Sequence, residues 1–454
     1  MKRAELEPFI RSAVRLVLDS ITYSNALPEW TDEPFFDYSE REAAISRRIS
    51  AYLSGSAKPA PPAHILVPRK NGSPKNWSIP SVNDQIVLQV CAGALARQAE
   101  AAALVDYSHV FSYEPNRRPE RLAFTESQFT AWSTFNKEVA VRAKRGAILQ
   151  LDIEQMYRSV DPANFVAFFE KRFGPGAEID LLKVLLRSFS APGEGLPLIN
   201  ESIFYLGDVY LSIVDDLFRK HSLDYVRFVD DYRVFDSSRE RLEQNLEEVT
   251  RDLASVGFRP NARKTRLGSD SEYFDAIADA DPKKEDQYIS AIRFDDMPDP
   301  AILATMVVRA TGDETRITEG MGRFTMQSVR KLKAHDALAK GREGILLNDP
   351  VDDRKLRTYL DHYNAVLKAS LKPESVARAF DHYSKTGDEW RIVWLLFTTK
   401  GAGIDWKATD VSSLPPIARL WARSLIVKPN DVPDEELHTL SYLEAGNRLY
   451  GSAA

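Results

Sequence analysis

The chain has one cysteine in 454 residues, so no disulfide can form within it and its fold must rest on packing. Cys91 lies in the apolar run VLQVCAGALA, where a small thiol on a helix is expected to be buried and inert. The seven histidines are scattered, with no Cys/His ligand spacing, which argues against zinc chemistry. Long hydrophobic runs are also missing. Nothing reaches the roughly 18 uninterrupted apolar residues that a membrane span needs. The opening MKRAELEPFIRSAVRLVLDS interleaves charged and apolar residues at helical spacing, unlike the continuous apolar core of a signal peptide. A cytoplasmic setting with no membrane partner is therefore expected. A strong positive charge is lacking as well: the net charge of -6 argues against non-specific coating of nucleic acid by the whole surface, so any such contact must be local.

The composition is 44% hydrophobic and 28% charged, ordinary for a soluble globular chain with material for two to four domains. Residues 1 to 55 read as helices, with Phe9, Ile10, Val14, Leu16 and Val17 on one amphipathic face. HILVPRKNGSPKNWSIPS then holds two extended runs around Asn71-Gly72, a dipeptide suited to a hairpin turn, with Arg69, Lys70 and Lys75 crowding its tip. Residues 82 to 105 form a long helical pattern. GAILQLD is a strand ending on Asp152, and YVRFVDDYRVF is two strands joined at Asp230-Asp231. The helix after them opens at serine and ends before Gly257. Strand, helices, hairpin, helix and strand in this order predict an α+β sheet with helices on one face. From about residue 300 the pattern is helical, broken at Pro350, Pro373, Pro415, Pro416 and Pro433, and LDHY (360–363) is echoed by FDHY (380–383). Stacked helical hairpins are expected there.

Transfer of a nucleotide to a hydroxyl needs divalent cations that neutralise phosphate charge and activate the nucleophile, held by converging hard oxygen ligands. Asp152 at a strand end and Asp230-Asp231 at a hairpin tip meet that demand if the strands pair. Each alone has a plainer explanation: the Asp pair as a solvent-facing turn, Asp152 as a helix cap. Two locally basic stretches, 259–266 and 323–342, read as solvated helix faces when taken singly.

The ordered set LDIEQMY, GEGLPLINESIFYLGDVYL, YVRFVDDYRVF and LASVGFRPNARKTRLG resembles palm motifs A, B, C and D of reverse transcriptases. NWSIPSVNDQIVLQV and SHVFSYEPNRRPERLAF resemble the fingers of the bacterial members, and the likeness covers approximately residues 60 to 268. It implies right-hand polymerase architecture: N-terminal helices and fingers over 1–145, a palm over 146–275, and an all-helical thumb-like C-terminal domain over 276–454. It implies Asp152, Asp230 and Asp231 as Mg2+ ligands, with Mn2+ as a substitute. Tyr157, five positions after Asp152, would be the gate that disfavours a ribose 2′-hydroxyl. Lys264 would act on the leaving pyrophosphate, and Arg69, Lys70 or Lys75 would clamp the triphosphate of an incoming dNTP.

Motif B departs from the family pattern. Leu196-Pro197 is followed by Leu198-Ile199, where many reverse transcriptases carry Gln-Gly beside the templating base. With the helical C-terminal third, this departure most resembles the defence-associated, abortive-infection reverse transcriptases. The resemblance implies a DNA polymerase acting in antiphage defence, either copying RNA or a non-coding RNA partner, or extending DNA from a protein hydroxyl without a template. Tyr363, Tyr383, Tyr442 and Tyr450 are chemically eligible as such primers, and assembly into a homo-oligomer is left open. Two other readings remain: a catalytically silent palm-fold protein that binds or senses nucleic acid, and an RNA-dependent RNA polymerase, against which Tyr157 speaks.

Overall fold

A computed structural model of the chain describes residues 3–20, 38–67, 75–116, 124–144, 146–190, 193–269 and 373–399, with 413–415, 417–419 and 422. Its organisation follows from where apolar side chains recur. Helix α1 (Glu7–Ser20) buries Ile10, Ala13, Val14 and Val17, the stripe expected from spacings of three and four, while Phe9 and Leu16 flank it half-exposed. That stripe, with α2 (Tyr38–Ser54), packs on α3 (Val82–Ala101). Helix α3 is apolar nearly all round and buries Cys91 completely, as a helix at the centre of a bundle must. Its start is fixed by Ser81, whose side chain accepts the Asp84 N–H at 2.9 Å. Strands β1 (Ala63–Val67) and β2 (Lys75–Ile79) pair antiparallel as the expected hairpin.

Four strands, β3 (Ala147–Asp152), β4 (Asp224–Phe228), β5 (Asp231–Asp236) and β6 (Arg266–Ser269), form an antiparallel sheet in the order β4-β5-β3-β6. Alternation along a strand sends neighbours to opposite faces. Leu149, Leu151, Tyr225, Tyr232 and Val234 therefore join the main core, which also takes in α6 (Pro162–Phe173), α7 (Ala177–Phe189), α8 (Glu201–Tyr210) and α9 (Ser212–Lys220). Asp161 and Pro162 start α6, the carboxylate accepting two N–H groups and the proline standing where its missing donor costs nothing. Helix α10 (Arg239–Ser255) opens at Ser238 and ends at Gly257 with φ +86°, as read from the sequence.

The sheet is not covered on one face only. Helix α4 (Gln128–Ala143) lies on the opposite face, where Phe135, Val139 and Ala143 bury against Ile148, Val226 and Phe235. The strands lack strict alternation at these positions because both faces are packed. Each fully buried Phe or Val there contributes about 1.5 to 3 kcal/mol.

In the C-terminal third, α11 (Pro373–Thr386) and α12 (Glu389–Thr399) pack on each other, turning at Gly387 with φ +65°. Pro373, expected to interrupt the helical pattern, is the first residue of α11. FDHY lies in α11, whereas LDHY, Pro350 and Pro433 lie outside the described residues. Helix α12 also packs against β1. Among the described residues no helix is long and apolar enough to cross a membrane.

One charged group stands on the core side of β4. Arg227 is 0% exposed and donates to Asp215 through Nε at 2.9 Å and Nη2 at 3.0 Å, and to Asp208 Oδ1 through Nη1 at 2.6 Å. Asp208 and Asp215 lie seven positions apart, on α8 and α9, and are each 1% exposed. The flanking carboxylates hold the guanidinium charged against a burial penalty that would otherwise drive its proton off. Replacing it by an isosteric apolar chain leaves two buried carboxylates without a counter-ion. We expect Arg227→Met to lower unfolding free energy by about 3 to 5 kcal/mol, read from urea denaturation; a loss below about 1 kcal/mol would show the network to be dispensable.

Candidate active site

The site forms where β3 ends beside the β4–β5 turn. Register pairs Asp152 with Asp231 across neighbouring antiparallel strands, so the two side chains project from one face. The turn is tight: β5 begins at Asp231 itself, leaving Val229 and Asp230 as the link from Phe228. Asp231 is thus a strand residue and not part of the loop. The Ile153 N–H donates to the Asp230 carbonyl at 3.1 Å, tying the tip to β3. Asp152 does not cap the helix that follows. The N-cap of the short α5 (Met156–Ser159) is Gln155, and Asp152 is 3% exposed.

Asp230 feels the charge of both neighbouring carboxylates. Burial, then the charges of Asp152 and Asp231, push the Asp230 carboxyl up to about 7, with Lys264 pulling the other way. Asp152 is held from both sides by the segment before β6. Its Oδ1 accepts the Asn261 Nδ2–H at 2.9 Å and its Oδ2 accepts Lys264 Nζ at 2.7 Å, while its carbonyl accepts the Asn261 N–H at 2.7 Å. Burial disfavours the Lys264 ammonium, but the hydrogen bond and charge of Asp152 outweigh it and raise its pKa. Lys264 is therefore not simply solvated, although its side chain is 59% exposed. Asp231 accepts Arg233 Nη1 at 3.2 Å. Among the described residues no group of three metal-ligating side chains is already gathered around one point. The donor set is nonetheless three hard carboxylates on adjoining backbone, and the repulsion felt at Asp230 is what a divalent cation would relieve.

The turn is conformationally strained. Val229 has φ +56°, a left-handed conformation disfavoured for a β-branched residue. It is held on both sides of its backbone: Ser112 Oγ accepts the Val229 N–H at 2.8 Å, and Arg227 Nη1 donates to the Val229 carbonyl at 3.3 Å. Ser112 in turn donates to Asp208 Oδ1 at 2.7 Å. Burial pushes the Asp208 carboxyl up to about 6, against the opposing pull of Arg227 and Ser112. The buried ion network is thereby joined to the acidic turn.

Tyr157 lies on α5, behind the left-handed Gln155. Its ring meets Phe204 edge-on at 5.6 Å, and its hydroxyl reaches the Phe204 carbonyl at 3.4 Å. Gly207 is its floor: a Cβ there would stand 2.8 Å from the ring. Burial raises the Tyr157 pKa well above its ordinary value, so the phenol is neutral.

The loop bearing Leu198 binds on both sides. The Leu196 N–H donates to the Tyr157 carbonyl at 2.8 Å, and the Leu198 carbonyl accepts the Ser78 N–H of β2 at 2.9 Å. Through Leu196 and Leu198 the loop therefore links Tyr157 to the β1–β2 hairpin. Lys75, on β2, lies over the Trp77 ring at 5.1 Å, and Trp77 meets Phe204 edge-on at 5.8 Å. Arg69, Lys70, Arg117 and Arg118 lie outside the described residues, as do Tyr363, Tyr442 and Tyr450. Tyr383 is 1% exposed, with Arg391 over its ring at 5.8 Å. Its expected eligibility as a nucleophile is corrected: in this conformation it is a core residue.

Sequence reasoning missed Asn261, Ser112, Val229 and the Arg227 network. A signal for the network was present in an arginine at a core-facing strand position and in acids seven apart on apolar helices. Nothing in the local sequence marks Ser112 or the strain at Val229.

The sequence matches no protein-family model, and no curated protein matches it.

Gly195 tests the link between Tyr157 and the Leu198 loop. Its φ is +73°, and a Cβ would stand 2.4 Å from the Arg158 carbonyl oxygen and 2.6 Å from that of Tyr157. Because these neighbours are backbone, they cannot swing away. Gly195→Ala should cost about 2 kcal/mol or more in urea unfolding; unchanged stability would mean that the loop is not held against α5.

Proposed function

We propose that this chain is a magnesium-dependent nucleotidyltransferase of the reverse-transcriptase type, adding dNTPs to a primer or protein hydroxyl, and that it serves bacterial antiphage defence. The carrying observation is Asp152 paired across the sheet with Asp231, with Asp230 in the adjoining turn. This supports a fingers-and-palm reading in which β1–β2 belongs to the fingers and the four-stranded sheet to the palm. The defence role rests on the sequence resemblance alone.

Asp152, Asp230 and Asp231 would hold Mg2+, which supplies charge neutralisation at phosphate and a more acidic attacking hydroxyl. The chain's own residues supply the rest. Lys264 brings a cation to the acids that can shift to the leaving pyrophosphate. Tyr157, its neutral ring held between Phe204 and Gly207, would leave a ribose 2′-hydroxyl no room. The network at Arg227 and Ser112 orients the acidic turn. Leu198, where the resemblance would place Gln-Gly, is bonded through its carbonyl to β2.

One observation favours a second reading, a silent nucleic-acid-binding or sensing protein: both carboxylate oxygens of Asp152 already have partners in Asn261 and Lys264. Purified protein incubated with labelled dNTPs and Mg2+ separates the two. We expect a DNA product that falls at least about a hundredfold in Asp230→Ala and Asp231→Ala proteins, and that is lost when EDTA removes the metal. Salt-sensitive nucleic-acid binding with no product under any divalent metal would favour the second reading.

A further inference from the structure

Tyr113 has a left-handed backbone, φ +50°, although it is neither glycine nor a residue whose short polar side chain eases that conformation. A bulky residue held this way is retained where surrounding structure enforces it, and here the enforcement is visible. The preceding segment runs along β4 in a parallel bridge between Val110 and Arg227, with the Phe111 N–H on the Arg227 carbonyl at 3.0 Å and the Arg227 N–H on the His109 carbonyl at 2.8 Å. Ser112 then bonds both Val229 and Asp208. On the other side, the Tyr113 N–H donates to Gln128 Oε1 at 3.3 Å, and Gln128 Nε2 is held by Thr125 Oγ1 at 3.2 Å and the Glu126 carbonyl at 3.1 Å.

The result is a ring fixed one residue beyond Ser112, whose hydroxyl bonds the acidic turn. Tyr113 lies tilted against Phe204 with centroids 6.2 Å apart, and Phe204 meets Tyr157 at 5.6 Å. Phe204 thus stands between two tyrosines, one from the loop bonded to the turn and one following Asp152. Both phenols are raised above their ordinary pKa, chiefly by burial; neutral and each packed against Phe204, they form one aromatic wall.

We propose that Tyr113 is a second sugar-selecting residue, completing with Phe204 and Tyr157 an aromatic wall against which the pentose of an incoming nucleotide lies. This rests on the nucleotidyl-transfer reading above and adds to it a residue that no motif marked. A deoxyribose edge meets such a wall without loss. A ribose 2′-hydroxyl pressed against rings gives up water for no equivalent partner.

Tyr113→Gly is the informative variant, because glycine adopts φ +50° freely and folding should survive loss of the ring. The readout is the ratio of kcat/KM for dCTP over CTP, beside wild type, Tyr113→Phe and Tyr157→Ala. We expect Tyr113→Gly to lower the ratio about tenfold, with Tyr157→Ala also lowering it, and Tyr113→Phe to hold it within about twofold. An active Tyr113→Gly protein whose two rates fall equally would overturn the inference while leaving nucleotide addition intact. A wild-type protein that adds neither nucleotide would overturn both.

Discussion

The buried bond between Arg227 and the two carboxylates of Asp208 and Asp215 is the constraint on which the rest of the site depends. Burying a charge is expensive and burying three is tolerable only where geometry satisfies them. Arg227 meets that condition by forking to both acids from the core side of β4. Its remaining reach goes to Val229, so the same side chain that locks α8 and α9 to the sheet also fixes the turn carrying Asp230. Ser112 closes the circuit between turn and helix. An unfavourable φ at Val229 is in this way maintained by interactions formed well below the surface.

Opposite that network lies a different electrostatic problem. Strand register pairs Asp152 with Asp231, and their charges, with burial, raise the cost of ionising Asp230 in the adjoining turn. Lys264 and Asn261 bond the two carboxylate oxygens of Asp152. Under the proposed function, the Lys264 ammonium that bonds Asp152 would be the cation that moves toward phosphate charge once Asp152 takes a metal. Assembly and catalysis would then draw on the same lysine.

Much of the local structure was legible because it follows short-range rules. Ser238 and Gly257 bound a helix through capping and a positive φ, and Asn71-Gly72 marked the link between paired β1 and β2. The three acids were legible as a set because their order along the chain restricts where strands can bring them. What could not be read depends on distant partners. That α4 covers the second sheet face is decided by Phe135 meeting Val226 and Phe235, a match with no local signature. Tyr383 was eligible by its chemistry alone, because its burial in α11 is a tertiary property. Asn261 sits inside a motif singled out for its lysine, and only the backbone path shows that it binds Asp152 twice.

The central claim is that Asp152, Asp230 and Asp231 bind divalent cations for nucleotide transfer. Anomalous diffraction from crystals grown with Mn2+ and a non-hydrolysable dNTP analogue tests it most directly. The account predicts manganese coordinated by carboxylate oxygens of these residues at about 2.1 Å, with the Lys264 ammonium moved from Asp152 toward the nucleotide phosphates. A nucleotide bound elsewhere, with no anomalous signal at the three acids and Lys264 still on Asp152, would contradict it.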